Sequence, residues 1–543
     1  APLRNLFMFY IQTDIHYTMK ILNALLSLVL ISFIPVDIHA QNFNRAVKVK
    51  ENFEAAIPHP EQDKEVAKKI ADLEKKTGKK PNIVWIIIDD MGYGDPGTYG
   101  GGAAIGAATP NMDRIAQKGL KLTSCYSQQT CTPTRSAILT GRLPVRTGLT
   151  RPILAGDNIT KNPWADEVSL PKLLSDNGYY TLLTGKWHVG EGEGMRPHDV
   201  GFDEYYGYYP AQKEITQGID PRRFPDLVLN EELMKAFETI RPANHLTHGF
   251  KGGKTEELEE IKSLDDMGRA DHKLADFTIS KIKELSDSDK PFFIEHCFMK
   301  VHADNHDNPD YPGLSAAKYQ YKNAVVEVDM HIGRIVKALE DAGELENTFI
   351  FVTSDNGPQM DAWPDGGYTP FRGAKGTTFE GGVRVPGIAY WKGIINPGRV
   401  SDEVFDLMDL FGTSLRLAGI SQDVLPEDRY YDFIDQSSFL FHKEGMSNRE
   451  SVYFWWGTEL MGIRMREYKE HVKVIIPQAP HMWIDYATIH DVGVAPWLFN
   501  LYIDPKEEMP VGHRRNAWLA SLGAQLKAHA ATFKKYPPKN IGL

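Results

Sequence analysis

The sequence predicts an α/β protein: a large mixed, mostly parallel sheet flanked by helices, followed by a smaller C-terminal antiparallel sheet with a helix. Two observations carry this. First, four short apolar runs each stop at a polar cluster: Ile83–Ile88 before Asp89-Asp90, Tyr180–Thr184 before Gly185-Lys186-Trp187-His188, Phe292–Phe298 before Lys300-Val301-His302, and Thr348–Thr353 before Ser354-Asp355-Asn356-Gly357. Runs of this length, rich in β-branched and aromatic residues, read as buried parallel strands. Second, the pattern changes at Ser451 to Val452–Trp456, Met461–Met465 and Lys469–Ile476, which read as short antiparallel strands.

Taken in order, Met19-Lys20, the apolar run Ile21–Pro35 and Ile38-His39-Ala40 read as a secretory signal peptide over 19–40, too short for a membrane span. Residues 1–18 then read as an over-extended gene start, with Met19 the initiator. The segment 41–80 is a charged lead-in with one helix over Gln62–Lys76. The main domain is expected over 81–440, with long loops at 153–167 and 210–255 and helical spacing from Thr255 to Leu285. Residues 441–543 form the smaller domain, ending in an amphipathic helix over Arg515–Lys534 before Pro537-Pro538.

The chain has 543 residues, 42% hydrophobic and 24% charged, enough for a large core and more than one domain. A net charge of −11 argues against a nucleic-acid surface. Of three cysteines, Cys125 and Cys297 sit in apolar segments and read as buried free thiols; a secreted chain without a disulfide framework fits a bacterial periplasm better than a eukaryotic extracellular enzyme.

The most informative stretch is Cys131-Thr132-Pro133-Thr134-Arg135, continuing to Arg142. Thr132 reads as an N-cap and Pro133 as the first helical position. Residues 131 and 135 then lie one turn apart, beside free N–H groups and the positive end of a helix dipole. A nucleophile, a guanidinium and a helix N-terminus together suit attack on a tetrahedral oxyanion ester. Since ligands of open α/β sheets bind outside the carboxyl ends of the strands, the four polar clusters are expected to converge on the same pocket. Asp89, Asp90, Asp355 and Asn356 are hard oxygen donors, a set suited to Ca²⁺ or Mg²⁺ rather than Zn²⁺.

At this point the chain resembles the formylglycine-dependent sulfatases of the alkaline-phosphatase-like superfamily. The resemblance rests on Asp89–Asp95, Thr109–Arg114, the 131–142 segment, Gly185–His188, Ser354–Gly357, Arg372–Lys375 and Glu380–Pro386, in the family's order. It implies that a maturation enzyme oxidises Cys131 to Cα-formylglycine, whose gem-diol attacks sulfur and forms a covalent sulfate intermediate beside one Ca²⁺. It also implies metal ligation by Asp89, Asp90, residue 131, Asp355 and Asn356. Arg135 is implied to hold the gem-diol and the carboxylates, Lys186 to bind sulfate, and His188 to act as base. His302 and Lys375 are implied to bind sulfate and protonate the leaving alcohol, with Lys300 and Arg372 as possible substitutes for Lys375. The sequence departs from the family's pattern at Thr134, where serine is commoner, and at Lys300-Val301-His302, where Pro-His is commoner.

The substrate implied is a sulfated polysaccharide, an algal glycan such as ulvan or a glycosaminoglycan, drawn in by a locally basic pocket. Tyr205, Tyr206, Tyr208, Tyr209, Trp187 and Trp363 fit either sugar stacking or the core, and His198 and His306 read as solvated loop residues. Two rivals stay open: a phosphoester or phosphonate hydrolase on the same scaffold, and a catalytically silent glycan-binding protein with Cys131 unmodified.

Overall fold

Residues Asn82–Ile88 (β1) are buried throughout, and the two-residue period of the strand divides them between two cores. Ile83, Trp85 and Ile87 enter one hydrophobic cluster, and Val84, Ile86 and Ile88 enter the other. A strand covered on both faces is apolar along its length, which is why Ile83–Ile88 reads as an unbroken run after the buried Asn82. The structure, a computed structural model, describes residues 45–154, 157, 159–210, 226, 228, 230–240, 244–477, 487–493 and 495–543. The leader expected over 19–40 and the segment 1–18 lie outside these residues.

The large sheet has 11 strands. In chain order they are β1, β2 (Leu120–Tyr126), β3 (Tyr180–Lys186), β4 (Glu204–Tyr208), β5 (His245–Phe250), β6 (Thr255–Glu260), β7 (Phe292–Cys297), β8 (Thr348–Ser354), β9 (Arg384–Tyr390), β10 (Arg399–Ser401) and β11 (Phe405–Asp406). Their spatial order is β10-β2-β9-β8-β1-β7-β3-β4-β5-β6, with β11 on β2. The pairs β8–β1, β1–β7, β7–β3 and β3–β4 are parallel, so the four predicted strands lie side by side and all end at one edge. β9 and the β5–β6 hairpin are antiparallel.

Helices cover both faces. Pro60–Thr77 (α1) and Cys131–Thr140 (α3) contribute to the first cluster, and Pro110–Lys118 (α2), Leu264–Ser286 (α4) and Gln320–Asp341 (α5) to the second. A smaller antiparallel sheet has the order β12-β13-β14-β17 over Ser451–Trp456, Glu459–Met465, Tyr468–His471 and Trp497–Asn500. A hairpin joins β15 (Lys473–Pro477) and β16 (Ala487–Asp491), and the helix Asn516–Lys535 (α6) follows. The buried residues Tyr453, Ile463, Leu498 and Leu522 of this region belong to the same cluster as Ile83 and Trp85, and residues 46–543 make one compact unit.

The stretch 231–260 departs from the sequence reading: Glu231–Ile240, expected as loop, is a helix. Thr255–Glu260 was expected to be helical and His245–Phe250 to be loop, yet they pair as β5–β6 before α4 begins. β6 is an edge strand carrying four glutamates. Its local propensity for strand is poor, so pairing with β5 decides the outcome. Exposed charge is also what keeps such an edge from pairing with other chains.

Candidate active site

The four strand ends deliver their polar residues to one place. Asp89 and Asp90 leave β1, Lys186 ends β3, His302 lies beyond β7, and Asp355 and Asn356 follow β8. Two of these turns use backbone that side-chain-bearing residues rarely adopt: Asp90 has φ 61° and His188 φ 59°. Such strain persists where surrounding structure over-determines it. Gly185 has φ 106°, and a Cβ there would sit 1.8 Å from the Cys297 carbonyl oxygen, so glycine is required for β3 to pass β7 just before Lys186.

The helix α3 brings in Cys131 and Arg135. Its N-cap is Thr130, not Thr132 as the sequence suggested, and the cap side chain makes no capping bond. The Thr132 hydroxyl is drawn away instead, donating to the His188 carbonyl at 2.7 Å. The Thr134 hydroxyl donates to the Asp355 carbonyl at 2.6 Å and accepts the Gln128 N–H at 3.0 Å. The two wild-card positions of the motif therefore tie the helix start to the ends of β3 and β8.

Arg135 holds Asp355 Oδ2 through Nη2 at 2.8 Å and Nε at 3.2 Å, and its Nη1 donates to the Lys186 carbonyl at 3.0 Å. Lys186 Nζ lies 2.5 Å from Asp89 Oδ2, and Lys375 Nζ 2.8 Å from Asp90 Oδ2. His302 Nε2 is 3.6 Å from the same Asp90 oxygen, while Asn356 Nδ2 donates to Asp90 Oδ1 at 2.6 Å. All of these side chains are buried. Lys300 and Arg372, the proposed substitutes for Lys375, are committed elsewhere: Lys300 pairs with Glu327 at 2.5 Å, and Arg372 lies over the Phe379 ring and donates to the Glu507 carbonyl at 2.8 Å.

Burial is the dominant electrostatic influence. It pushes the Asp89 carboxyl up to about 7, against the pull of Lys186 and with the help of Asp355 and Asp90. Asp355 is buried too, but Arg135, then Lys186 and Lys375, hold it below the ordinary carboxylate value. Burial, then Lys186, keeps His188 well below the usual imidazole range, so its ring is neutral. Nε2–H of that ring donates to the Ile153 carbonyl at 2.8 Å, which leaves the buried, unpartnered Nδ1 as a proton acceptor.

The cluster has unspent ligand capacity. Asp89 Oδ1 and Asn356 Oδ1 are buried and accept no hydrogen bond. Asp89, Cys131 and Asp355 offer ligand atoms within 4.8 Å of one another, as do Asp89, Asp90 and His302. Buried polar atoms are ordinarily satisfied, so two orphaned oxygens beside grouped carboxylates fit a bound cation.

The family model for sulfatases matches residues 81–420. The chain belongs to the sulfatase family. It is 32% identical over 466 residues to N-acetylgalactosamine-6-sulfatase of Canis lupus familiaris, covering 81% of this chain and 84% of that protein. It is 33% identical to arylsulfatase A of Bos taurus, covering 72% and 74%. Among solved structures, the PsFucS1 sulfatase from Pseudoalteromonas sp. superposes with a TM-score of 0.89 at 50% identity, covering 92% of this chain and all of that one. This sulfatase is a sulfuric ester hydrolase with the alkaline-phosphatase-like architecture expected from the sequence.

Sequence reasoning missed the groups that position the site. The Ile153 carbonyl that fixes His188 comes from a stretch read only as loop. Asp365, which accepts the Asn305 N–H at 2.7 Å near His302, carried no motif signal at all. His198 and His306 are buried rather than solvated; His198 packs under Gly249 and lies 3.1 Å from the Thr255 hydroxyl. Of the aromatic candidates, Trp187, Tyr205 and Tyr208 belong to the core, and Tyr206 stacks on Phe277. Trp363 is exposed. All three cysteines are free and buried.

Proposed function

We propose that this sulfatase removes sulfate from a sulfated saccharide, using Cys131 in its formylglycine form and one Ca²⁺ held by Asp89, Asp90, residue 131, Asp355 and Asn356. The supporting observation is the pair of orphaned buried oxygens, Asp89 Oδ1 and Asn356 Oδ1, with Asp89 and Asp355 grouped around Cys131 at the start of α3. Formylglycine would supply the attacking hydroxyl and the dication positive charge beside it, in place of a soft thiolate. As it stands, the cluster sets three carboxylates, Asp89, Asp90 and Asp355, against three cations, Arg135, Lys186 and Lys375. With those carboxylates compensated by an ion, Nζ of Lys186 and Lys375 are the groups that bind sulfate oxygens, as fixed charges placed where charge develops. Arg135 keeps Asp355 in place. Neutral His188 takes a proton at Nδ1, and His302 with Lys375 serves the departing alcohol.

The saccharide class follows the curated relatives, whose names include N-acetylgalactosamine-6-sulfatase. A glycosaminoglycan or an algal polysaccharide such as ulvan is the polymer to test first. Export through the 19–40 leader would bring the enzyme to such a polymer in a periplasm or outside the cell. The test is the mass of the tryptic peptide carrying residue 131, from protein made with a maturation enzyme. Conversion lowers it by about 18 Da. Sulfate release from chondroitin, heparan and algal polysaccharides is then measured on the same preparation. An intact thiol in protein that still releases sulfate would refute the nucleophile, and sulfate release from aryl sulfates alone would refute the saccharide.

A further inference from the structure

We infer that Trp363 is a sugar-stacking platform at the rim of the active site, taking an unsulfated ring face next to the sulfated unit of an oligosaccharide. The inference rests on the saccharide reading above and names the residue that reads the chain beyond the ester.

Trp363 is 60% exposed, whereas every other tryptophan with a described environment is buried or half-buried. An indole face held in water offers a large flat apolar area that a ligand can cover. Its loop is tied to the site at several points. Asn356 immediately precedes it, and the Lys375 N–H closes its neck on the Pro358 carbonyl at 3.0 Å. Asp365, two residues past the indole, accepts the Asn305 N–H at 2.7 Å and Nδ2 at 3.2 Å, and Asn305 Nδ2 also reaches the Val301 carbonyl at 3.0 Å, beside His302. On the other flank, the Gly94 N–H donates to the Tyr368 carbonyl at 2.9 Å, and Tyr368 N–H to the buried Asp95 at 3.2 Å. The loop therefore bridges the segments that carry His302 and Asp90. Two buried carboxylates brace it, so the platform is fixed before a ligand arrives.

The chemistry of the occupant follows from the indole and from the exposed residues that share its loop. Asp361, two residues away, is exposed, and Tyr368 is 45% exposed. An exposed carboxylate on the same loop repels sulfate but accepts hydrogen bonds from hydroxyl groups, and a flat aromatic face suits the C–H face of a pyranose. An aromatic plane on a loop that also carries an exposed acid thus favours a neutral sugar face over an anion.

The test compares two substrates on the mature full chain: 4-methylumbelliferyl sulfate, and the best-cleaved sulfated tetrasaccharide from a panel of chondroitin, heparan and algal oligosaccharides. For Trp363→Ala, the ratio of kcat/KM for the tetrasaccharide to that for the aryl sulfate falls on the order of tenfold, mainly through KM. Trp363→Phe, which keeps a ring, recovers most of the ratio. An unchanged ratio overturns the platform while leaving the sulfatase on saccharides intact. An equal fall on both substrates also overturns it, by showing a general effect on the site. A wild type that cleaves the aryl sulfate and no tetrasaccharide overturns the platform together with the saccharide reading.

Discussion

At the carboxyl edge of β1, β3 and β8, three buried carboxylates face three buried cations. At the seam between the loop 372–380 and β14, two buried carboxylates, Glu380 and Glu507, face Lys469 and His471. In the seam every carboxylate oxygen has a donor. Glu380 Oε1 takes Lys469 at 2.9 Å, and its Oε2 takes the Tyr126 hydroxyl at 2.8 Å. Glu507 Oε1 takes His471 at 2.6 Å, and its Oε2 takes the Glu380 N–H at 2.7 Å. Burial alone would raise Glu380, yet Lys469, then Arg384 and Arg464, hold it down to about 2. Asp89, equally buried, is pushed up to about 7, with one oxygen orphaned. Equal burial with opposite saturation distinguishes the two clusters, and in the open one the orphaned Asp89 carboxylate also sits among grouped ligand atoms.

The largest effect that could break this contrast is on activity. On the proposed mechanism, Cys131→Ala should lower sulfate release by at least ~10⁴-fold, because it removes the proposed nucleophile. The urea midpoint should stay near that of the wild type. A variant that retains substantial turnover would detach the open cluster from catalysis. Lys469→Met tests the closed cluster, where the loss should be of stability. Removing one partner of a buried pair costs about 3–5 kcal/mol, readable in urea unfolding. The pH dependence has a definite sign. Glu380 lies below its ordinary 4.5 in the folded protein, so its contribution is present above that pH and is lost as pH falls toward about 2. The gap between wild type and Lys469→Met is therefore full at pH 7 and narrows below about pH 4.5. A gap independent of pH would mean that Lys469 acts through packing alone.

The two clusters also differ in how legible they were. The open one could be read from the sequence because its residues sit at fixed offsets after apolar runs: Asp89 and Asp90 after β1, Lys186 at the end of β3, Asp355 and Asn356 after β8. Strand period and strand-end position are local properties. The closed cluster joins Glu380, Lys469 and Glu507, residues 127 apart at the extremes, through contacts that no local pattern announces. The β5–β6 hairpin was misread for a related reason, since β5 supplies the partner that six acid-rich residues need to be strand. The cap shifted from Thr132 to Thr130 because Thr132 has a distant acceptor, the His188 carbonyl. What the sequence concealed was long-range pairing.

Metal addition gives the next effect in size. An ion that binds only the folded protein stabilises it by about 2.7 kcal/mol at a hundred times its dissociation constant. EDTA-treated protein should therefore gain Tm as CaCl₂ is added, and Asp90→Asn should abolish that gain. Lys469→Met should keep it, since the seam has no vacant oxygen for an ion. A flat Tm in CaCl₂ would leave the two orphaned oxygens without an explanation.

The smallest effect sets the baseline for both clusters. Lys172 and Asp176 form an i,i+4 pair at 2.8 Å, as close as Lys375 to Asp90, but with side chains 56% and 48% exposed. If proximity alone made the buried clusters matter, Asp176→Asn would cost as much as breaking a buried pair. If desolvation makes the difference, water screens this pair, and the loss should be about 0.5 kcal/mol or less. It should shrink further at 1 M salt, where the Debye length is about 3 Å. A loss above ~1 kcal/mol that persists in salt would show that distance, not burial, governs charge pairs in this protein. The reading of the open and closed clusters as two kinds of site would then lose its physical basis.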